Sequence, residues 1–313
     1  MEKFRTQNFD NKYPSVEKDL SAGEKIGRRQ ALRGLLATLG VSLVPIKLSD
    51  GEVNEGIESE GGPYSNTEES ILEYDELSHS GFFQYNVEYY ESVFAEELPQ
   101  ISDRLESLQI IKDNFDIKKI PEPMAGYLED LVLGMAIEES RLDTSAVSKD
   151  KAFGILQLMP ATWEELALEG ESKENMVDQI KVAARLLEQS YLHLQNTCSQ
   201  ELKQIRDTFF NGDEQTFINE FYTPLLLNAY NAGMGSMATL VRWFVTKFKN
   251  PKDTVELFEQ SEVLTGYDVF LALAHGSTQE EVVSWYKDDS STYTTKIYGA
   301  KIALEKYRAS LAD

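Results

Sequence analysis

Residues 136–162 read AIEESRLDTSAVSKDKAFGILQLMPAT, and this stretch decides the architecture. It begins where an apolar stripe ends: Leu128, Leu131, Val132, Met135 and Ala136 recur at helical spacing from Met124 onward. The carboxylate pair Glu138-Glu139 closes that helix, and Ser140 sits at its end. A carboxyl group at the end of a hydrophobic helix can lose enough solvent to keep its proton near neutrality, which is what a general acid requires. A turn of small residues follows, and then Gln157 and Leu158-Met159-Pro160. Pro160-Ala161-Thr162 opens a further helix running to Leu168, since a proline at a helix start gives up no hydrogen bond. Two helices joined by a turn that carries chemistry imply a helical fold.

Outward from this centre the pattern stays helical. Residues 82–112 place Tyr89, Val93, Leu98, Ile101, Leu105 and Leu108 at helical intervals, giving one or two helices. Asp113 to Ile120 forms a polar connection, and Pro121 and Pro123 lead into the helix Met124 to Ser140. Downstream, Met176 to Leu194 is amphipathic through Ile180, Ala183, Ala184, Leu187 and Tyr191. From Gln195 to Phe221 the pattern is more polar and less regular, which suggests an insertion through Tyr222. Tyr222 to Tyr230 is apolar again, a helix follows over 236–248, Pro251 breaks it, and the last helix spans Thr295 to Ala309. No repeat and no long alternating strand occurs, so the predicted class is all-α.

The charge is uneven. The chain carries −23 in total, yet residues 1–47 hold nine Lys/Arg against five Asp/Glu, and the remainder carries −27. Such an acidic body argues against nucleic acid as a partner, because phosphate binding needs clustered Lys and Arg. The lone Cys198 excludes an intramolecular disulfide, and His79, His193 and His275 lack ligand spacing, so neither a metal nor a cofactor is expected. Gly27-Arg28-Arg29-Gln30-Ala31-Leu32-Arg33 precedes an apolar run from Gly34 to Ile46, too short to span a bilayer as a helix. Basic residues ahead of a short apolar core have the layout of an export signal, and the arginine pair resembles a twin-arginine signal. No clear cleavage site follows, so residues 34–46 would serve as a membrane tether if retained. An amphipathic helix of a cytoplasmic protein is the alternative. From Leu48 to Ser80, Glu, Ser, Gly and Asn dominate, a composition that suits a disordered acidic linker. The expected organisation is a signal or anchor over 1–47, the linker over 48–80, a helical extension over 81–120 and a catalytic domain over 121–313.

Three segments share a likeness. Glu139-Ser140, Ala146-Val147-Ser148 and Ala152 to Thr162 resemble the signature of the soluble lytic transglycosylase family. Ala229-Tyr230-Asn231-Ala232-Gly233-Met234-Gly235 resembles its second signature, and Tyr298-Gly299-Ala300-Lys301-Ile302 its last short motif. The likeness covers about Ile120 to Lys306. It implies a lysozyme-like helical domain acting on peptidoglycan glycan strands, outside the cytoplasm in the periplasm or at the cell surface. It also implies that Glu139 is the sole catalytic carboxylate, acting as acid and then as base while a muramyl 6-hydroxyl closes a 1,6-anhydro ring. By the same likeness Ser148 and Gln157 hold substrate and acid, Met159, Tyr230 and Asn231 line the cleft, and Tyr298 is a further contact. Several positions depart from the pattern. Lys151 stands where the family usually has Gly, Asp143-Thr144 replaces Asn-Pro, Ala184 replaces Gly, and Thr294 occupies a common Glu position.

Two other readings compete. A hydrolytic muramidase of the goose-lysozyme kind would need a second carboxylate roughly 6.5–9.5 Å from the acid to activate water, with Asp143, Asp150 and Glu164 nearest in sequence. A non-catalytic glycan-binding or scaffold module could keep the same fold. Glu138 is the alternative acid, although Glu139 is the residue directly before Ser140. Tyr298, Met159, Trp163 and Trp243 could each be ordinary core.

Overall fold

A computed structural model of the protein describes residues 82–102, 104–255 and 266–312. The signal, the tether and the linker expected over residues 1–80 lie outside the described residues. Among the described residues the fold is all-α, with only isolated antiparallel bridges, Val147 to Phe153 and Phe153 to Leu158. No described helix is long and apolar enough to cross a membrane.

The helices are α1 (Phe82–Ser102), α2 (Glu106–Asn114), α3 (Met124–Ser140), α4 (Pro160–Leu166), α5 (Met176–Phe209), α6 (Glu214–Phe217), α7 (Thr223–Ala232), α8 (Met234–Lys247), α9 (Pro251–Val255), α10 (Tyr267–Gln279), α11 (Asp288–Ser291) and α12 (Tyr293–Ala312). A π-helical turn, Ile218–Tyr222, joins α6 to α7.

Helix α3 is central because it is apolar on every side. Each residue from Leu131 to Ile137 is buried, as a helix in the middle of a core requires. Pro123 occupies its N-cap, and the left-handed Arg141 (φ 55°) ends it, with its N–H returning to Ala136 and Ile137 carbonyls. Helix α12 packs against both α3 and α1. Against α1, Asn86 donates to Thr295 Oγ1 at 3.1 Å, Phe94 stacks on Tyr307 and Lys306 pairs with Glu91 at 3.0 Å. Against α3, the buried Lys301 pairs with Asp130. The α3–α12 crossing depends on Gly134, where a Cβ would stand 2.3 Å from the Ile297 carbonyl oxygen.

The segment expected to be an irregular insertion is helical. Helix α5 continues past Leu194 to Phe209, bending at Cys198, whose φ of −137° and ψ of 17° leave the helical region. The polarity that hides this helix in the sequence belongs to its solvent face. Its other face buries Cys198, Leu202, Ile205 and Phe209 at intervals of three and four. Phe210, Phe217 and Phe221 then cluster, and Phe221 meets Phe244 of α8, so the inner face of Gln195–Tyr222 joins the core. The short helix expected to open at Pro160-Ala161-Thr162 and run to Leu168 has Pro160 in its first turn and ends at Leu166.

Gly134→Ala tests the crossing. Alanine favours a helix interior by about 1 kcal/mol over glycine, yet here its methyl group meets backbone that cannot swing away. A net loss of about 2 kcal/mol is expected in urea unfolding.

Candidate active site

The site forms where α3 leaves the core. Glu139 is half-buried at the end of the helix, and its Oε1 accepts a hydrogen bond of 2.6 Å from the Tyr293 hydroxyl at the start of α12. Burial pushes its carboxyl up to about 8; the neighbouring Glu138 adds to this, while the Tyr293 bond and Lys296 partly offset it. Glu139 is therefore protonated at neutral pH. Tyr293 occupies Oε1 of this carboxyl.

The loop beside the acid, residues 141–159, is wound tightly. Ser148 N–H donates to the Ala152 carbonyl at 2.8 Å, Gly154 N–H to Ala146 at 2.8 Å, and Phe153 and Leu158 exchange N–H···O bonds of 3.0 and 2.9 Å. Arg141, Leu142, Lys151 and Gln157 all have left-handed backbone, at φ of 55°, 62°, 67° and 48°. Non-glycine residues held there cost roughly 1–3 kcal/mol each and gather at functional sites. Lys151 keeps the backbone shape a glycine would take and leaves its side chain exposed.

Three helices fasten this loop at adjacent peptide units. Ser140 Oγ of α3 donates to the Ile155 carbonyl at 2.9 Å. Gln179 Oε1 of α5 accepts the Ile155 N–H at 3.0 Å, and its Nε2 donates to Lys173 at 2.6 Å. Tyr230 Oη of α7 donates to the Leu156 carbonyl at 2.7 Å. Gly154 (φ 80°) is required here, because a Cβ would lie 2.2 Å from the Gln179 amide oxygen.

The residues singled out in the sequence fall into three groups. Glu139 and Tyr230 come together: the Glu139 carboxyl helps burial hold the Tyr230 phenol well above its ordinary value. Tyr230 nonetheless gives its proton to Leu156 and not to the acid. Asn231 follows on α7 and Met159 caps α4, both half-exposed. Ser148 and Gln157 use their side chains to build the loop: Ser148 Oγ accepts Ala152 N–H at 2.9 Å, and Gln157 Nε2 donates to Ala146 and Gly154 carbonyls at 3.2 and 2.9 Å. Tyr298 is the exception, being 0% exposed and set edge-on against Tyr267 at 5.4 Å. It lies five positions beyond Tyr293, about 140° around the helix, so it faces the core and not the cleft.

Four residues that the sequence reading passed over complete the site. Tyr293 bonds the acid; Lys296 stands 3.7 Å from Glu138; Tyr90 of α1 donates to Glu138; Gln179 holds the loop. Tyr293 and Lys296, three apart on one helix, were the sequence signal available, but it had meaning only once α12 was known to pass over Glu139. Among the described residues, no group of three or more His, Cys, Asp or Glu is arranged to hold a metal ion.

The site thus joins a carboxyl short of solvent, a fixed loop and two phenols. Residues 119–252 match the family model described as Transglycosylase SLT domain. The matched segment, less than half of the chain, is similar to transglycosylase domains and contains Glu139, Ser148, Gln157, Met159, Tyr230 and Asn231. Tyr90, Tyr293, Lys296 and Tyr298 lie outside it. No curated protein matches the sequence.

Glu139→Gln tests the burial of the acid through stability. A carboxyl raised from 4.5 to about 8 in the folded state opposes folding as the unfolded chain ionises. That cost is absent below pH 4.5, grows as pH rises to 8 and is constant above. The glutamine variant is expected to match wild type near pH 4 and to gain on the order of 3 kcal/mol at pH 8, read from urea unfolding at both pH values.

Proposed function

We propose that the protein is an exported lytic transglycosylase. It would cleave the β-1,4 bond between N-acetylmuramic acid and N-acetylglucosamine and leave a 1,6-anhydromuramyl end. The observation that carries this reading is Glu139 at the end of α3, its carboxyl held up to about 8 by burial and bonded through Oε1 by Tyr293. Glu139 Oε2 gives its proton to the glycosidic oxygen as the C1–O bond breaks. The resulting carboxylate is stabilised by the Tyr293 hydroxyl, then takes the proton of the muramyl 6-hydroxyl as that oxygen closes on C1. Proton and bond counts balance with no water consumed, and Glu139 is restored. Met159 and Asn231, half-exposed beside the acid's loop and Tyr230, are the proposed glycan contacts.

The geometry of Asp143 favours this reading over hydrolysis. Its Oδ1 is taken by the Ser145 N–H and hydroxyl, at 2.9 and 2.7 Å, and its Oδ2 faces Arg104 at 3.5 Å. These contacts hold its carboxyl below the usual range, so it is a structural anion and a poor activator of water.

Digestion of purified peptidoglycan with mass spectrometry of the fragments tests the assignment. Anhydromuramyl ends are expected, whereas reducing ends would replace the lyase by a hydrolase. Turnover should fall about tenfold per pH unit above pH 8, as Glu139 loses its proton. Glu139→Gln should lose at least about a hundredfold in rate.

Export is proposed from Arg28-Arg29 and the apolar run Gly34 to Ile46. Fused to a folded reporter, residues 1–60 should carry it out of the cytoplasm in a bacterium with the twin-arginine machinery. Replacing both arginines with lysine should retain it inside, and export undiminished by that change would dismiss the route.

A further inference from the structure

Glu138 and Glu139 are consecutive, yet their surroundings differ. Tyr90 of α1 donates to Glu138 Oε2. Lys296 Nζ of α12 lies 3.7 Å from Glu138 Oε1, and Arg141 Nη1 lies 3.9 Å from Oε2. The Arg141 guanidinium is itself set 5.2 Å over the Tyr90 ring, and its Nη2 donates to the Tyr89 hydroxyl at 3.4 Å. Three chain segments converge on a carboxylate whose side chain is only 18% exposed and which the proposed reaction does not touch. An ion pair needed only for stability gains little from such burial, since desolvating the charges offsets their attraction.

We infer that Glu138 is a positioning residue: a negative charge clamped by Tyr90, Arg141 and Lys296, whose field keeps the proton on Glu139. The inference rests on Glu139 being the general acid. The partners of the two carboxyls differ. Burial pushes Glu138 up too, but Lys296 and Arg141 pull it back, whereas the close partner of Glu139 is a neutral phenol. The pair therefore titrates in two coupled steps, and the two cations beside Glu138 favour the charge on its side of the pair. Removing the second proton must create a like charge at the adjacent position. The remaining groups that face the pair act in known directions. Asp289 opposes ionisation of Glu138, Lys296 favours that of Glu139, and Tyr293 and Tyr230 remain neutral beside the acid. Helices α1 and α12, one on each side of the matched segment, would thereby set the pH at which the acid works.

Titration of the full-length chain carrying ¹³C-labelled glutamate carboxyls, followed by NMR, tests this without an activity assay, with Glu139→Gln and Glu138→Gln assigning the two signals. Glu138→Gln should lower the pH at which Glu139 titrates by about one unit. Lys296→Met should raise it, and Lys296→Arg should restore it. The alkaline limb of the peptidoglycan-cleavage profile should move the same way in each case. Opposite shifts from the two charge removals are expected of a field and not of altered packing. An unmoved Glu139 titration in a folded Glu138→Gln protein overturns the inference and leaves the acid assignment intact. Should Lys296→Met not fold, Glu138→Gln alone decides. Retained turnover in Glu139→Gln would instead remove the proposed function itself.

Discussion

The hydrogen bond from Tyr293 to Glu139 joins side chains 154 positions apart, and the site's chemistry depends on what it takes to form it. It requires α12 to lie close enough to α3 for a phenol to reach the acid, which the missing side chain of Gly134 permits. It also requires Glu139 to sit where a negative charge is poorly tolerated. The last turn of a helix points its free carbonyls outward, so the macrodipole already disfavours an anion there. Packing of α12 removes solvent from the same carboxyl. The single donor that remains, a neutral hydroxyl, offsets part of that cost and leaves the proton in place at neutral pH. A cation at that position would have stabilised the fold further and abolished the acid.

The loop over 141–159 shows where stability is given up in return. Four non-glycine residues with left-handed backbone within seventeen positions form an unfavourable local conformation that the loop would not keep on its own. Ser140, Gln179 and Tyr230 supply the restraint. Each bonds a main-chain atom of Ile155 or Leu156, so the restraint does not depend on which side chains the loop carries. That explains how Lys151 can hold a left-handed backbone that suits glycine. Its strain is a local cost borne by an exposed residue, and it does not change the path of the peptide units that are tied down.

The features legible in the sequence were those written within one helix turn or one loop. The apolar stripe of α3 announces a buried helix, and the glutamates at its end announce carboxyls short of solvent. The same logic failed where burial was one-sided: beyond Leu194, α5 presents a polar outer face, and the spaced Leu202, Ile205 and Phe209 were outweighed by it. It failed again for Tyr298, because membership of a short motif does not say which face of the helix meets the cleft. Only the crossing with α3 settles that Tyr293 and Lys296 face the glutamates and Tyr298 faces Tyr267. Tyr90 read as one more aromatic in an amphipathic helix. Its hydroxyl acquires a role only through a partner 48 residues away.

The boundary of a family match is therefore not the boundary of the chemical unit. Residues 119–252 hold the acid, the loop and the α7 residues that face them. The groups that govern protonation of the glutamate pair, Tyr90, Tyr293 and Lys296, come from α1 and α12 on either side. Without α12, Glu139 would meet water and ionise as an ordinary carboxylate, and the apolar surface of α3 around Gly134 would lose its cover. The flanking helices thus do two jobs with one set of contacts. They bury the central helix, and by burying it they turn the carboxyl at its end into an acid.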